Sequence, residues 1–142
     1  MSKLSIILFY IGEAVLFLIG VIHLLTHFAG SPQPANDNQK KFLELFSTTT
    51  FAMPSGEQRT YEDILNAFSL YFGVLLIGLS VIVWISSRSA ETFKPSLIIT
   101  AVLMLVTAFI TFKYAILPPL IMMLIVAVCF ILSFLFSTNS EQ

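Results

Sequence analysis

Charged residues are scarce in this chain of 142 residues, at 11% of the sequence, and they form no basic run. The formal net charge is -1, so the sequence lacks the positive surface that nucleic-acid binding requires. With a single cysteine, Cys129, the chain can form neither an internal disulfide nor a thiolate metal cage. We therefore expect no nucleic-acid partner, and we interpret Cys129 as a packing residue, with a redox thiol as the alternative.

Hydrophobic residues, in contrast, make up 57% of the chain, far from the balance of a soluble globular protein. A helix that crosses the hydrocarbon core needs about 20 mostly apolar residues, because lipid offers backbone amides no other hydrogen-bond partner. Four segments meet this requirement, at residues 4–28, 64–85, 97–115 and 119–136. The sequence thus predicts an all-α integral membrane four-helix bundle, up-down-up-down, as a single membrane domain over residues 1–142.

Capping residues and prolines predict where three of these helices begin. Thr60 and Asp63 have the spacing of a capping box before the second span. Pro95 suits the first turn of the third span. The two prolines at 118–119 require a tight turn after Tyr114, so we expect the third and fourth spans to form an antiparallel hairpin.

The first loop, residues 30–59, is the one sizeable segment outside the predicted spans. Asn36 or Asp37 can cap a short helix within it. Apolar and charged residues alternate there with helical spacing: Phe42, Leu45 and Phe46 lie on one face, and Lys40, Lys41 and Glu44 lie on the other. We predict a helix that lies on the membrane interface, followed by an irregular loop over residues 47–56.

The basic residues divide almost evenly between the two predicted membrane sides: Lys3, Arg88 and Lys94 on one, and Lys40, Lys41, Arg59 and Lys113 on the other. Counting short segments alone favours cytoplasmic termini in a bacterial inner membrane. The first loop would then face the periplasm or the exterior.

Small and polar residues fall on one face of each of the first three predicted helices. Helices in lipid associate through close packing of small residues and through polar contacts, so these faces should turn inward. The residues that we expect to pack helix against helix are Gly12, Gly20, Ser69, Gly73 and Ser80. The fourth helix has only a weak stripe, formed by Met122, Val126, Cys129 and Ser133. We expect this helix to be the most exposed to lipid or the most devoted to apolar packing.

A polar cluster is expected near the first loop, where the topology brings three helix ends to one membrane side. Its members, a candidate ligand or cofactor pocket, are His23, His27, Asn66, Thr111 and Tyr114. The two histidines stand one turn apart and could share a metal ion, but a third ligand is not within reach. We therefore predict no metal or cofactor, while quinone, haem, metal and a purely structural or interfacial role all stay open.

Glu13 is the one acidic residue in the first predicted span. A buried ionised carboxylate in lipid costs at least about 2.5 kcal/mol, so we expect this group to be protonated or hydrogen-bonded. One hypothesis is a proton or ion path through Glu13. The other is a structural hydrogen bond to Thr100 or Thr107 that fixes helix packing.

From residue 20 onward the chain contains an ordered series of short motifs: Gly20 to His23, Gly56, Arg59-Thr60-Tyr61 with Asp63, Phe68-Ser69-Leu70 to Gly73, Trp84, and Tyr114 with Pro118-Pro119. In this series the chain resembles an uncharacterised family of small bacterial four-helix membrane proteins. Its layout is also similar to that of DoxX-like membrane proteins, some of which are linked to redox or quinone systems. The resemblance implies a bacterial four-helix membrane protein and carries over no established activity.

The leading hypothesis is a non-enzymatic accessory or assembly subunit of an inner-membrane complex. It would dock on another membrane protein, or on a second copy, through small-residue helix faces and the first loop. The alternatives are a small-ligand, quinone or cofactor binder that uses the His23 and His27 pocket, and a proton or ion path through Glu13. An enzyme is not favoured, because the sequence shows no nucleophile with its base, phosphate-binding glycine loop or paired carboxylates.

Overall fold

The computed structural model describes residues 2–29, 33–113 and 117–138, and they form an all-α bundle. In chain order the elements are α1 (Lys3–Phe28), α2 (Asp37–Thr48), β1 (Thr50–Ala52), β2 (Gln58–Thr60), α3 (Tyr61–Ser86), α4 (Ala90–Lys113) and α5 (Leu117–Thr138). Four helices, α1, α3, α4 and α5, are long and apolar enough to cross a membrane. The predicted four-helix bundle with a short helix in the first loop is confirmed.

Side-chain caps explain where the first three helices begin. The Ser2 hydroxyl accepts a hydrogen bond from the Ser5 amide at 3.1 Å, and Asn36 rather than Asp37 caps α2. At the start of α3 the predicted capping box is confirmed: the Asp63 amide donates to Thr60 Oγ1 at 3.1 Å, and the Thr60 amide donates to Asp63 Oδ2 at 3.0 Å. Each cap satisfies backbone donors that have no acceptor within the helix.

The prolines occupy different positions in the two last helices. Pro95 was expected in a first turn, but α4 begins at Ala90 and contains Pro95 in its interior, so this prediction is wrong. The prolines at 118–119 lie in the first turn of α5, where a missing N–H leaves no intrahelical bond unmade. Tyr114 and the tight turn predicted after it lie outside the described residues.

A small β-hairpin replaces the irregular loop predicted for residues 47–56. After α2 ends at Thr48, β1 pairs antiparallel with β2, and Phe51 stands opposite Arg59. The Gly56 amide closes the connecting turn by donating to the Met53 carbonyl at 2.8 Å. Gly56 has φ of 85°, in the left-handed region that glycine adopts without a steric penalty.

The four long helices follow a spatial order that differs from their order in the chain. Helix α1 packs against α3 and α5, and α5 packs against α1 and α4, whereas α3 and α4 touch over a smaller area. The last helix is therefore central, and the alternative that it is the most lipid-exposed helix is wrong. Its inward face is formed by side chains no more than 2% exposed: Met123, Val126, Ala127, Phe130 and Ser133.

An aromatic contact ties α1 to both of the last two helices. The Phe9 ring packs edge-on against Phe93 of α4, with centroids 5.3 Å apart, and stacks on Phe130 of α5 at 6.2 Å. All three rings are buried. Large apolar side chains also cover the outer faces of all four helices, as expected for surfaces in contact with lipid.

Candidate functional site

The candidate site lies where α1 crosses α3, because two glycines there bring the helices together. A Cβ on Gly20 would lie 3.0 Å from the Gly73 carbonyl oxygen, so the backbones are in direct contact. Glu13 is seven residues before Gly20, and Ser80 is seven residues after Gly73. Since the helices are antiparallel and seven residues make about two turns, Glu13 and Ser80 face each other.

The carboxyl group of Glu13 is half satisfied by this arrangement. Ser80 Oγ donates to Glu13 Oε1 at 2.5 Å, whereas Glu13 Oε2 is buried with no hydrogen-bond partner among the described residues. The expected partners, Thr100 and Thr107, are on α4, which packs mainly against α5. Thr107 Oγ1 donates to the Leu103 carbonyl of its own helix at 2.7 Å. The expected hydrogen bond from a threonine of α4 is therefore replaced by one from Ser80.

A groove of about 360 Å³ opens beside this pair on the outer side of α1 and α3. We call it the Glu13 groove; its lining residues are Tyr10, Glu13, Ala14, Phe17, Ser80, Val81 and Trp84. Tyr10, Phe17 and Trp84 are each about half exposed. The Arg88 guanidinium lies over the Trp84 ring, 4.3 Å from its centre, which places a cation at the end of α3.

His23 lies on α1, two to three turns after Glu13, and packs against α3. Its Nδ1 lies 3.4 Å from Ser69 Oγ, and its ring packs edge-on against Phe72 with centroids 5.0 Å apart. A Cβ on Gly73 would lie 3.2 Å from the His23 Cβ. Both Ser69 and Gly73 therefore serve contacts within the chain.

The structure gives separate contacts for two other members of the predicted histidine pocket, His27 and Thr111. His27 packs edge-on against Phe28, and its buried Nδ1 has no hydrogen-bond partner among the described residues. Asn66 is exposed, and Thr111 contacts the Met123 sulfur of α5 at 3.7 Å. Tyr114 lies outside the described residues. His23 contacts Ser69, a residue that the sequence predicted for helix packing and not for this pocket.

Metal-binding side chains do not cluster in the described part of the chain. Over residues 2–29, 33–113 and 117–138 there is no group of three or more histidine, cysteine or acidic residues that could hold a metal ion. Cys129 is buried on α5, and its Cβ would lie 3.1 Å from a Cβ added to Gly12. Gly12 thus serves the contact of α1 with α5.

Sequence reasoning missed two aromatic members of the Glu13 groove, Tyr10 and Phe17. They stand three residues before and four residues after Glu13, so helical periodicity places all three on one face. The missing signal was the register of α1 against α3, which the Gly20 and Gly73 contact supplies.

A second groove, of about 670 Å³, lies between the β-hairpin and the start of α3. We call it the loop groove; it is lined by Phe51, Met53, Arg59, Asp63, Ile64, Ala67, Phe68 and Tyr71. Arg59 also forms an exposed ion pair with Glu57, at 2.6 Å between Nη2 and Oε2. The loop groove therefore has a charged end near the hairpin and an apolar end along α3.

In the described residues, fold and sites together define a multi-pass membrane protein with four candidate spans, in which the Glu13 groove and the loop groove lie along α3. Comparison with family models, with curated proteins and with solved structures finds no match for this chain. The resemblance to DoxX-like proteins stays a prediction from the sequence.

Proposed function

We propose that this chain is a non-enzymatic accessory or assembly subunit of a membrane complex, which docks on another membrane protein through its first loop. The observation that carries the proposal is the loop groove, because it joins a charged end at Arg59 and Asp63 to an apolar end at Phe68 and Tyr71. A partner segment that emerges from the bilayer has the same division between polar and apolar parts.

The first loop is held in place by aromatic contacts with the start of α3. Tyr61 stacks on Phe46 of α2, with ring centroids 6.3 Å apart, and contacts Phe51 of β1 at 5.2 Å. The capping box of Thr60 and Asp63 fixes the same point of the chain. A surface that is ordered before binding loses less conformational entropy when a partner docks, so this arrangement favours a docking role.

The apolar end of the loop groove matches the end of a partner transmembrane helix. Phe68 and Tyr71 are each 66% exposed on α3, and the small side chain of Ala67 in the same groove leaves room for close approach. Aromatic residues are typical of the membrane–water interface, and small residues are typical of contacts between helices in lipid. The partner would place apolar side chains here and a polar terminal residue beside Arg59 or Asp63.

The small-residue faces contribute less to docking than the sequence indicated. Gly20 and Gly73 form the contact of α1 with α3, and Gly12 faces Phe130 on α5. Ser69 and Ser80 bond to His23 and Glu13. Because these five residues are engaged within the chain, we assign docking to the first loop.

Site-specific photo-crosslinking in native membranes tests the docking proposal. A photoreactive amino acid at Phe68, in the loop groove, should give one discrete adduct with a second protein. The matched control is Phe109, which is 71% exposed on α4 and outside both grooves, and it should label lipid alone. If Phe68 also labels lipid alone, or if the partner is equally labelled from Phe109, the proposed docking surface is wrong.

The membrane and the orientation are also proposals, supported by the even number of candidate spans in the described residues and by the distribution of basic residues. We place the chain in a bacterial inner membrane with both termini in the cytoplasm. Single-cysteine variants built on a Cys129→Ala background test this with an impermeant maleimide on intact spheroplasts. Glu57→Cys should react, and Ser89→Cys should react only after lysis; the reverse pattern would invert the topology.

A second candidate function is binding of a small ligand, a quinone or a cofactor near the histidines. His27 favours it, because its buried Nδ1 has no partner among the described residues. Wild-type protein and the His27→Phe variant can be compared by absorption spectroscopy and by mass spectrometry of extracted lipids. Identical spectra and extracts would argue against this candidate.

A proton or ion path through Glu13 has less support from the geometry. Apart from Ser80, the buried side chains of α3 are apolar, and so are those that follow Glu13 on α1: Leu76, Val83, Leu16 and Ile19. A path needs a series of polar groups or water on both sides of the acid. Ion flux into proteoliposomes tests this candidate. A flux that is present with the wild-type protein and absent with the Glu13→Gln variant would support an ion path.

A further inference from the structure

Glu13 is 9% exposed, yet one of its two carboxyl oxygens lacks a hydrogen-bond partner in the described part of the chain. Ser80 satisfies Oε1, and nothing among the described residues satisfies Oε2. A buried polar atom without a partner costs free energy, and more so at membrane depth, where water is scarce. The half-satisfied carboxyl group is therefore suited to receive a donor from outside the fold.

The Glu13 groove gives such a donor a route from the bilayer. Its walls come from α1 and α3, both candidate spans, and the rings of Tyr10, Phe17 and Trp84 line it while remaining about half exposed. Its lining includes one acid, Glu13, and no base. A molecule that enters this groove has to be soluble in lipid.

We propose that the Glu13 groove binds a lipophilic organic cation, an ammonium group carried on an apolar body. A carboxylate with a free oxygen attracts the positive charge, and the aromatic faces of Tyr10 and Phe17 attract an ammonium group through their quadrupoles. The Trp84 ring already carries the Arg88 guanidinium. The apolar body would lie along Ala14, Phe17 and Val81. The volume of about 360 Å³ lies within the range of small-molecule sites.

This site is separate from the proposed docking surface. The loop groove uses the first turns of α3, from Asp63 to Tyr71, whereas the Glu13 groove uses Ser80 to Trp84 near its other end. No residue lines both grooves. Failure of either proposal therefore leaves the other standing.

Trp84 provides a direct readout, because it is the one tryptophan in the sequence and it lines the groove. The full chain in phosphatidylcholine nanodiscs would be titrated at pH 7 with N-benzyldodecylamine, whose protonated amine carries N–H donors, while its tryptophan fluorescence is recorded. We expect a saturable change. The uncharged analogue benzyl dodecyl ether should give only the weak, non-saturable change of partition into lipid.

Charge variants separate the site from general electrostatic attraction. Glu13→Gln should weaken binding of the ammonium by about tenfold or more, because a hydrogen bond to a charged group is lost. Glu91→Gln is the matched control, since it removes an exposed acid on α4 and should leave binding unchanged. Wild-type affinity in Glu13→Gln, or an equal loss in both variants, would overturn the proposal.

A steric variant covers the possibility that Glu13→Gln fails to fold. Ala14 is exposed and lines the groove, so Ala14→Phe should fill the groove without disturbing the contact of α1 with α3 and should abolish saturation. Unchanged saturation in Ala14→Phe would contradict the site. A photo-crosslinker at Ala14 that captures a protein in native membranes would assign the groove to a partner helix and also overturn the proposal.

Discussion

The hydroxyl groups of Ser5 and Ser133, on α1 and α5, each donate to the backbone carbonyl of the other residue. The Ser5 Oγ lies 2.8 Å from the Ser133 carbonyl oxygen, and the Ser133 Oγ lies 2.9 Å from the Ser5 carbonyl oxygen. Both side chains are fully buried. The reciprocal pair fastens the beginning of the first span to the end of the last.

Removing either serine hydroxyl should destabilise the bundle. Ser5→Ala and Ser133→Ala should each lower the free energy of unfolding by about 1 kcal/mol, within the range found for hydrogen bonds between membrane helices. Because the two side chains form one network, the double variant should cost less than the sum of the single ones. Unfolding in mixed micelles by dodecyl sulfate titration measures these values.

Ser96→Ala is the control for that experiment. The Ser96 hydroxyl donates to the Phe93 carbonyl of its own helix at 2.7 Å, so its loss removes no contact between helices. A cost as large as that of Ser5→Ala, or strictly additive losses in the double variant, would show that the reciprocal pair has no special role.

The close contact of α1 with α3 predicts that its glycines do not tolerate a methyl group. A Cβ at Gly20 would lie 2.7 Å from Ile77 Cγ1, and one at Gly73 would lie 3.1 Å from the Gly20 carbonyl oxygen. Overpacking of this kind costs about 1–3 kcal/mol, and it would also separate Glu13 from Ser80. Gly20→Ala and Gly73→Ala should therefore lower stability in the same unfolding assay.

Gly78 provides the matched substitution on α3. A Cβ at this position meets nothing within 4 Å, and alanine is the better helix former. Gly78→Ala should be neutral or slightly stabilising. If Gly78→Ala and Gly73→Ala cost the same, the close approach of the two backbones would not be the cause.

The sequence predicted the positions of the helices better than it predicted which helices pack against each other. Hydropathy located four spans, and spacing located the capping box of Thr60 and Asp63, because both signals are local. Periodicity also put Glu13 on an inward face, and the structure buries it. A periodic pattern does not say which helix lies opposite, so the partner of Glu13 was sought on α4 and is Ser80 of α3.

Two further errors had physical causes of the same kind. The hairpin has only three residues in each strand, too few for an alternating pattern, and its pairing depends on the turn at Gly56. Helix α5 has no strong polar stripe because it packs on α1 with one face and on α4 with another. Its central position depends on Phe130 and other buried apolar residues, which resemble lipid-facing residues in sequence.

Because α5 is central, truncating its buried Phe130 should lower the free energy of unfolding by a large amount. Phe130 is fully buried and stacks on Phe9, so Phe130→Ala leaves a cavity that lipid cannot fill. The cavity term alone is on the order of 2 kcal/mol. Phe109→Ala, at a position that is 71% exposed, should change the free energy of unfolding far less. Similar losses in the two variants would place α5 at the periphery.

The cap of α2 gives a prediction for the first loop, which the docking proposal requires to be ordered. Asn36 Oδ1 accepts a hydrogen bond from the Gln39 amide at 2.9 Å, whereas Asp37 is the first helical residue and acts through the helix dipole. Loss of an N-cap costs about 1 kcal/mol, which corresponds to roughly fivefold faster exchange of the amides in the first turn. Hydrogen exchange should therefore accelerate in Asn36→Ala and change less in Asp37→Ala. The opposite ranking would assign the cap to Asp37, the alternative that the sequence left open.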